Sequence, residues 1–442
     1  MIVEQTLFRQ AVWRIIPLLI VCYMFSYLDR INLSFARLPM EHELQFSDST
    51  FGLGAGLFFL GYIICQVPSA LILERIGPRL TIAAIMLAWS VTSFLFILVH
   101  SAWQFCLLRI VLGAAEAGFY PAVLYYLALW FPRAMLARVT GGFLLAIPLS
   151  GVLGGPVSTY LLHAMDGVLG LSGWKWMFLI EAVPPLLLGG VVFCRLDDGP
   201  MTAKWVPASQ RAPLAAALAH GKGGENAFVT QIGSGGETGR RASFLAALGQ
   251  REVRLLVVIC FCQAVCNYGI VFWIPTFIGQ VIPGSPTATG LYTAIPFAVA
   301  AISMTLNARS SDKHEERCWH LAGPFLCVCI CLVLTFFVQA RGGLALFFLT
   351  GALAGALCTT SMIFTLPPYV LSPSTLATGL AWINSLGAIG GLLGPYGIGW
   401  MRDHFGSPLA GVFLVAGCAL LGAVLTVGGL ARRGAVPTSA SR

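Results

Sequence analysis

The sequence predicts an all-α membrane protein with twelve transmembrane helices in two six-helix bundles related by pseudo-two-fold symmetry. Three observations predict it. Of 442 residues, 57% are hydrophobic and 10% charged, against roughly 25% charged in a soluble domain. Apolar runs of about the length that crosses a hydrocarbon core recur along the chain. The two halves echo each other across one long polar stretch.

A soluble chain with mean hydropathy of +0.84 would expose apolar patches far beyond the few hundred Å² that monomers tolerate. Soluble enzyme, secreted disulfide scaffold, disordered chain and fibrous repeat are therefore poor readings. The spans are expected near 14–38, 51–73, 80–99, 103–130, 139–163, 174–193, 254–278, 288–308, 319–339, 344–366, 375–400 and 408–430. The runs are continuous and do not alternate in period two, so they read as helices rather than barrel strands. The first is too long for a cleaved signal peptide and lacks a small-residue cleavage site.

Basic residues give the orientation. With a cytoplasmic N-terminus, 20 of the 26 Lys and Arg fall on the inner side, 4 fall outside, and Arg30 and Arg109 lie within spans. Both termini are thus expected to be cytoplasmic, in an inner (plasma) membrane. The net charge of +8 is a topology signal, with no basic face for nucleic acid. The 13 Cys lie mostly inside spans and read as small packing residues, with no disulfide or metal expected. No phosphate-binding loop or nucleotide fingerprint appears. The chain is read as a non-enzyme without cofactor, driven by an ion gradient.

The division is a bundle over 1–193, a cytoplasmic linker over 194–252 and a second bundle over 253–442. Short linker helices are expected over 203–219 and 243–250. Glu74-Arg75-Ile76-Gly77-Pro78-Arg79 after span 2 has its counterpart in Arg309-Ser310-Ser311-Asp312-Lys313 after span 8, with the acids 238 residues apart. Gly154-Gly155-Pro156 recurs as Leu393-Gly394-Pro395, with the prolines 239 apart. Two signals at nearly one offset point to a duplicated six-helix unit, the build of transporters that rock two bundles around a midplane site.

Four residues carry charge where the bilayer penalises it by at least about 2.5–3.5 kcal/mol. Asp29 and Arg30 lie deep in span 1, and Arg109 and Glu116 in span 4. Arg109 and Glu116 are two turns apart on one face, at roughly 10 Å. Asp29 and Arg30 are adjacent, about 100° apart, so only one can point down a cavity axis. An Arg in such a cavity binds a carboxylate bidentately. An acid freed from its Arg favours its protonated form. Anionic substrate and proton would then bind together. Packing salt bridges are the alternative.

These residues resemble the major facilitator superfamily and, within it, the anion:cation symporter family, over nearly the whole chain. Tyr27-Leu28-Asp29-Arg30-Ile31-Asn32 is similar to that family's span-1 signature, and Gly113 to Pro121 to its span-4 signature. Glu74 to Arg79 is similar to the superfamily's cytoplasmic gating motif. Gly61-Tyr62 and Val67-Pro68-Ser69 resemble the tartrate, phthalate and 4-hydroxyphenylacetate permease branch. The resemblance implies proton-coupled uptake of a small organic anion, a mono- or dicarboxylate. Arg30 and Arg109 would hold its carboxylate, and Asp29 and Glu116 would carry protons. Tyr62, Asn267, Tyr268, Ser361 and Asn384 would line the site. Glu74, Arg75, Arg79 and Asp312 would gate it. The partners implied are the substrate, protons and the lipid bilayer, with a monomeric chain. The departures are Gln66 where the branch often has Glu, Ala70 for Asn, and Ala84 for Arg.

An organic-anion or drug exporter or exchanger stays open as an alternative, as does a transporter-like sensor. Glu181, near the start of span 6, reads as structural or interfacial. Trp103, Trp174, Trp176, Trp273, Trp319 and Trp400 read as interfacial anchors.

Overall fold

A computed structural model describes residues 2–211, 214, 247–282, 284–372, 375–407 and 409–430. The first bundle holds α1 (Ile2–Leu44), α2 (Asp48–Phe94), α3 (Ala102–Glu116), α4 (Phe119–Trp130), α5 (Arg133–Leu144), α6 (Ala146–Ala164) and α7 (Gly173–Arg195). The second holds α8 (Arg251–Val281), α9 (Pro286–His314), α10 (Cys318–Phe337), α11 (Gly342–Met362), the short α12 (Pro367–Val370), α13 (Leu376–Gly387), α14 (Ile389–Phe405) and α15 (Val412–Leu425). No strand occurs among the described residues.

Among the described residues, ten helical stretches are long and apolar enough to cross a membrane. One of them, Asp48–Leu98, holds two crossings. It reverses at Gly77, whose φ of 80° is open to glycine at little cost. Another crossing is the pair α13 and α14, each too short alone. Among the described residues the total is twelve, the expected number.

The breaks have local causes. Span 4 parts between α3 and α4 at Ala117 and Gly118. Span 5 parts at Leu145, three residues before Pro148, which has no amide hydrogen to bond back to the preceding turn. At α2, Ser47 caps the start by accepting from the Thr50 amide at 3.3 Å. At α9, Ser285 does the same for Ala288 at 3.2 Å, with a proline in the first turn.

The expected linker helices at 203–219 and 243–250 fall largely outside the described residues, and 208–211 and 247–249 are helical. Helices in lipid gain little from the hydrophobic effect and associate through close backbone approach at small residues. Gly61 lies on the Ile110 carbonyl and Gly113 on the Phe58 carbonyl, which draws α2 and α3 into one seam. Gly155 and Gly290 meet across the bundles, from α6 and α9. Gly52 and Gly56 lie on the backbone of Pro395 and Leu392 in α14.

These inter-bundle contacts sit in the half of the molecule far from the termini. A polar cluster closes the same end. Arg37 pairs with Asp48, with Glu41 at 2.8 Å and, across the gap, donates to Thr276 at 3.1 Å. Arg402 of α14 reaches back to Asp48 at 3.0 Å. Ser49 N donates to Asp403 at 2.8 Å. Trp273 lies under both guanidiniums, 5.4 Å from Arg37 and 5.1 Å from Arg402. Trp273 is fully buried, and so is Trp174, so neither is the interfacial anchor the sequence suggested. An aromatic near a span end can equally cap a bundle seam. Trp103, Trp319 and Trp400 are exposed as expected.

Candidate substrate and proton site

Between the bundles lies a cavity of about 1890 Å³. Glu74, Arg138, Arg309, Asp312 and Arg317 line its mouth, at the end that carries the linker, and Arg30 lines its blind end. The helical period explains the floor. Tyr23, Tyr27 and Arg30 recur at i, i+4 and i+7 on α1, and all three face the cavity. Asp29, one residue round the helix, faces α2 instead and accepts from Ser93 Oγ at 3.1 and 3.2 Å.

Arg30 joins α1 to α3. Its Nε and Nη2 donate to Glu116 Oε2 at 3.0 and 2.5 Å, and Ser26 Oγ adds a contact at 3.5 Å. All three donors converge on one oxygen, and Glu116 Oε1 is buried with no partner in the structure. Aromatic rings close in on the guanidinium. Phe58 stands 4.8 Å away, Tyr62 5.7 Å and Tyr27 5.8 Å, within cation–π range. From the second bundle, Tyr268 comes against Arg30 and lies tilted on Phe59, with ring centroids 4.3 Å apart. Asn267 Nδ2 donates to the Tyr27 hydroxyl at 3.4 Å, and its Oδ1 is buried and unpartnered. The blind end thus offers one cation and an aromatic wall, with amide groups from α8.

The structure sorts the expected residues. Arg30, Tyr62, Asn267, Tyr268, Ser361 and Asn384 all line the cavity. Ser361 returns its hydroxyl to Cys358 O at 2.8 Å. Glu116 stands behind Arg30 as its partner. Arg109 does not line the cavity. It is fully buried, over Phe58 at 5.0 Å, and donates to the carbonyls of Gly54 and Ala55 at 3.3 and 3.5 Å, with Nη1 unpartnered. The two-turn spacing from Glu116 gave its face correctly, but that face points into the α2–α3 seam.

At the mouth, Arg79 pairs with Asp198 at 3.5 Å and Asp312 with Arg317 at 2.6 Å. The first pair ties α2 to the start of the linker and the second stays within the second bundle, so neither crosses between the bundles. Glu74 lines the opening, while Arg75 does not. Tyr23 and Tyr120 belong to the lining and were missed. The period of Tyr23 with Tyr27 and Arg30 was the signal that could have found the first. Gln66 and Ala70, two of the departures from the branch's pattern, also face the cavity.

Two helical bundles that meet at one end, enclosing a cavity with a buried arginine at its blind end, are the build of a membrane transporter. The chain belongs to the Major Facilitator Superfamily, whose profile matches residues 19–395. It is a multi-pass membrane transporter of a small molecule and not an enzyme. It is 39% identical over 427 residues to a putative metabolite transport protein, NicT, of Pseudomonas putida, covering 96% of this chain and 94% of that one. It is likewise 39% identical over 428 residues to a putative tartrate transporter of Agrobacterium vitis, with 96% and 91% covered. A quinolone resistance transporter of Acinetobacter baumannii is 33% identical over 436 residues, with 96% and 94% covered. Among solved structures, an inward-facing, unoccupied bacterial homolog of the human lysosomal transporter Spinster superposes with a TM-score of 0.71 at 18% identity, over 98% of this chain and 99% of that one. The xylose transporter XylE of Escherichia coli, partially occluded and inward open, gives 0.68 at 14% identity, over 94% and 97%. At these identities the likeness concerns the fold.

Proposed function

We propose that the chain is a proton-coupled symporter that takes up a small organic carboxylate by alternating access across a bacterial inner membrane. Both termini are cytoplasmic and the functional unit is a monomer of two bundles, 1–193 and 253–442, joined by the linker 194–252. The single observation that carries the reading is the lopsided Arg30–Glu116 pair. Arg30 faces the cavity, and Glu116 leans on it through one oxygen only.

An incoming carboxylate competes for the Arg30 guanidinium. Glu116, left in a low-dielectric interior without its cation, takes a proton instead. Release of substrate toward the open mouth returns Arg30 to Glu116 and expels that proton. Tyr62, Tyr268 and Asn267 hold the body of the substrate, with Asn384 and Ser361 further along the wall. Asp29, packed beside this pair, is the second proton carrier. Arg109 supports the same charge cluster from behind Phe58 and reaches substrate only if the α2–α3 seam shifts. Glu74, Arg75, Arg79 and Asp312 form the cytoplasmic latch, open in this state and closing when the far-end cluster parts.

The names of the tartrate transporters support a carboxylate substrate. A second reading, export or exchange of larger organic anions, draws on the quinolone resistance relative and on a cavity of about 1890 Å³, large for a small acid. Proteoliposomes test both. A pH jump drives L-tartrate or benzoate accumulation in the wild type and not in Glu116→Gln, which keeps counterflow. Accumulation that ignores the pH gradient in the wild type refutes the symport reading and favours exchange.

A further inference from the structure

The first bundle buries a third acid that the scheme above does not use. Glu181 of α7 is 6% exposed. Asn32 Nδ2 donates to its Oε2, and Ser158 Oγ of α6 donates to its Oε1 at 2.9 Å. Neither partner carries charge, and no salt bridge reaches Glu181 among the described residues. From α2, packed against α7, the Ser90 hydroxyl is spent on the Ala182 carbonyl at 2.7 Å. Among the described residues, Asp29 of α1 is the titratable group that acts on Glu181, and it is an acid too.

Asn32 stands between the two acids. Its amide donates to Glu181 and also interacts with the Asp29 carboxylate. Its Oδ1 is buried and has no partner. An orphaned buried acceptor costs about 1–3 kcal/mol. Two ionised carboxylates can only accept, so neither could satisfy it. A carboxyl that holds a proton can donate to it. An uncompensated carboxylate this deep is costly in any case, which favours the protonated form.

We propose that Glu181 is a proton-binding site of the transporter, linked to Asp29 through Asn32. Asn32 Oδ1 accepts from whichever of the two acids carries the proton. The proton at this site comes from and returns to water, and no bond other than O–H forms or breaks. The use of this site in transport rests on the symport reading. The presence of a proton on Glu181 does not.

The test is pH-difference infrared spectroscopy on the full chain in liposomes, without substrate. The wild type shows the carbonyl stretch of an un-ionised carboxyl at neutral pH. Glu181→Gln, which keeps the shape and replaces one carboxyl oxygen with a donating amide, loses that band. Asp29→Asn keeps the band but moves the pH at which it titrates. A band unchanged in Glu181→Gln overturns the proposal, and a midpoint unmoved in Asp29→Asn overturns the link. Should the Gln variant fail to fold, Glu181→Asp serves, since it alters the band and its midpoint if the assignment is right and leaves both unchanged if it is wrong. Proton uptake read with a pH dye on adding L-tartrate or benzoate separates the two readings. A wild type that passes the infrared test and moves no proton with either acid contradicts the symport reading alone.

Discussion

Arg402 Nε donates to Asp48 Oδ2 at 3.0 Å, and this ion pair crosses from one bundle to the other. Asp48 gives its second oxygen to Arg37, so one carboxylate ties two guanidiniums to either side of the far-end seam. Both guanidiniums also lie on the Trp273 ring. A charge-assisted hydrogen bond is worth about 1.5–3 kcal/mol, more when the second partner stays buried. Asp48→Asn therefore shifts the population toward the state open at this end by roughly tenfold. The check is thiol labelling of a cysteine placed at Thr276, which speeds up in Asp48→Asn, while the same label on an Asp48→Glu background stays near the wild-type rate.

The Arg30–Glu116 pair predicts non-additive stability. Removing one partner of a buried pair leaves an uncompensated charge, a cost of about 3–5 kcal/mol. Arg30→Ala is therefore expected to lower thermal stability in detergent more than the double variant Arg30→Ala with Glu116→Gln. If the two losses add, the residues do not form the coupled unit described above.

Arg30 and Arg109 separate by readout. Arg30 faces the cavity, whereas Arg109 is spent on the carbonyls of Gly54 and Ala55. A lysine keeps the charge and loses the planar fork. Arg30→Lys should weaken carboxylate binding at least tenfold with a modest change in melting temperature. Arg109→Lys should do the reverse. Calorimetric titration beside a melting curve on each variant decides it, and equal affinity losses in both would place Arg109 in direct contact with substrate.

The α2–α3 seam leaves no room for a methyl group. A Cβ at Gly61 would overlap the Ile110 carbonyl, and one at Gly113 the Phe58 carbonyl, both backbone atoms that cannot step aside. Overpacking of this kind costs about 1–3 kcal/mol. Gly113→Ala and Gly61→Ala should each lower the melting temperature. Gly190→Ala, on a surface with open space around it, should not.

The span count was legible because it follows from the length of continuous apolar runs, while the spacing of Asp29 and Arg30 showed that only one could point down the cavity axis and not which. The partners were not. That Asp29 would meet Ser93 while Arg30 meets Glu116 depends on which neighbour packs against each face, and adjacent positions on a helix carry no mark of that. Trp273 shows the same limit: a tryptophan near a span end looks like a membrane anchor until a second bundle covers it. Glu181 was read as structural or interfacial from its place near the start of span 6, and α1 and α6 enclose it, which leaves the first of the two. The reversal at Gly77 is the converse case, legible in Glu74 to Arg79 as a turn between two apolar runs.

The cavity has an electrical consequence. Its volume of about 1890 Å³ and its open mouth let water and ions reach Arg30 from one side. Arg30 and Arg37 are seven residues apart on α1, about 10 Å of helix rise. The insulating part of the molecule is then the thin plug between Arg30 and the Arg37–Asp48–Arg402 cluster, and the transmembrane voltage falls across that plug rather than across the whole bilayer. A charge crossing it feels nearly the full drop, about 2.3 kcal/mol per 100 mV. On the proposed proton-coupled reading, a proton that crosses the plug to reach Asp29 or Glu116 would draw on the membrane potential as well as on the pH difference.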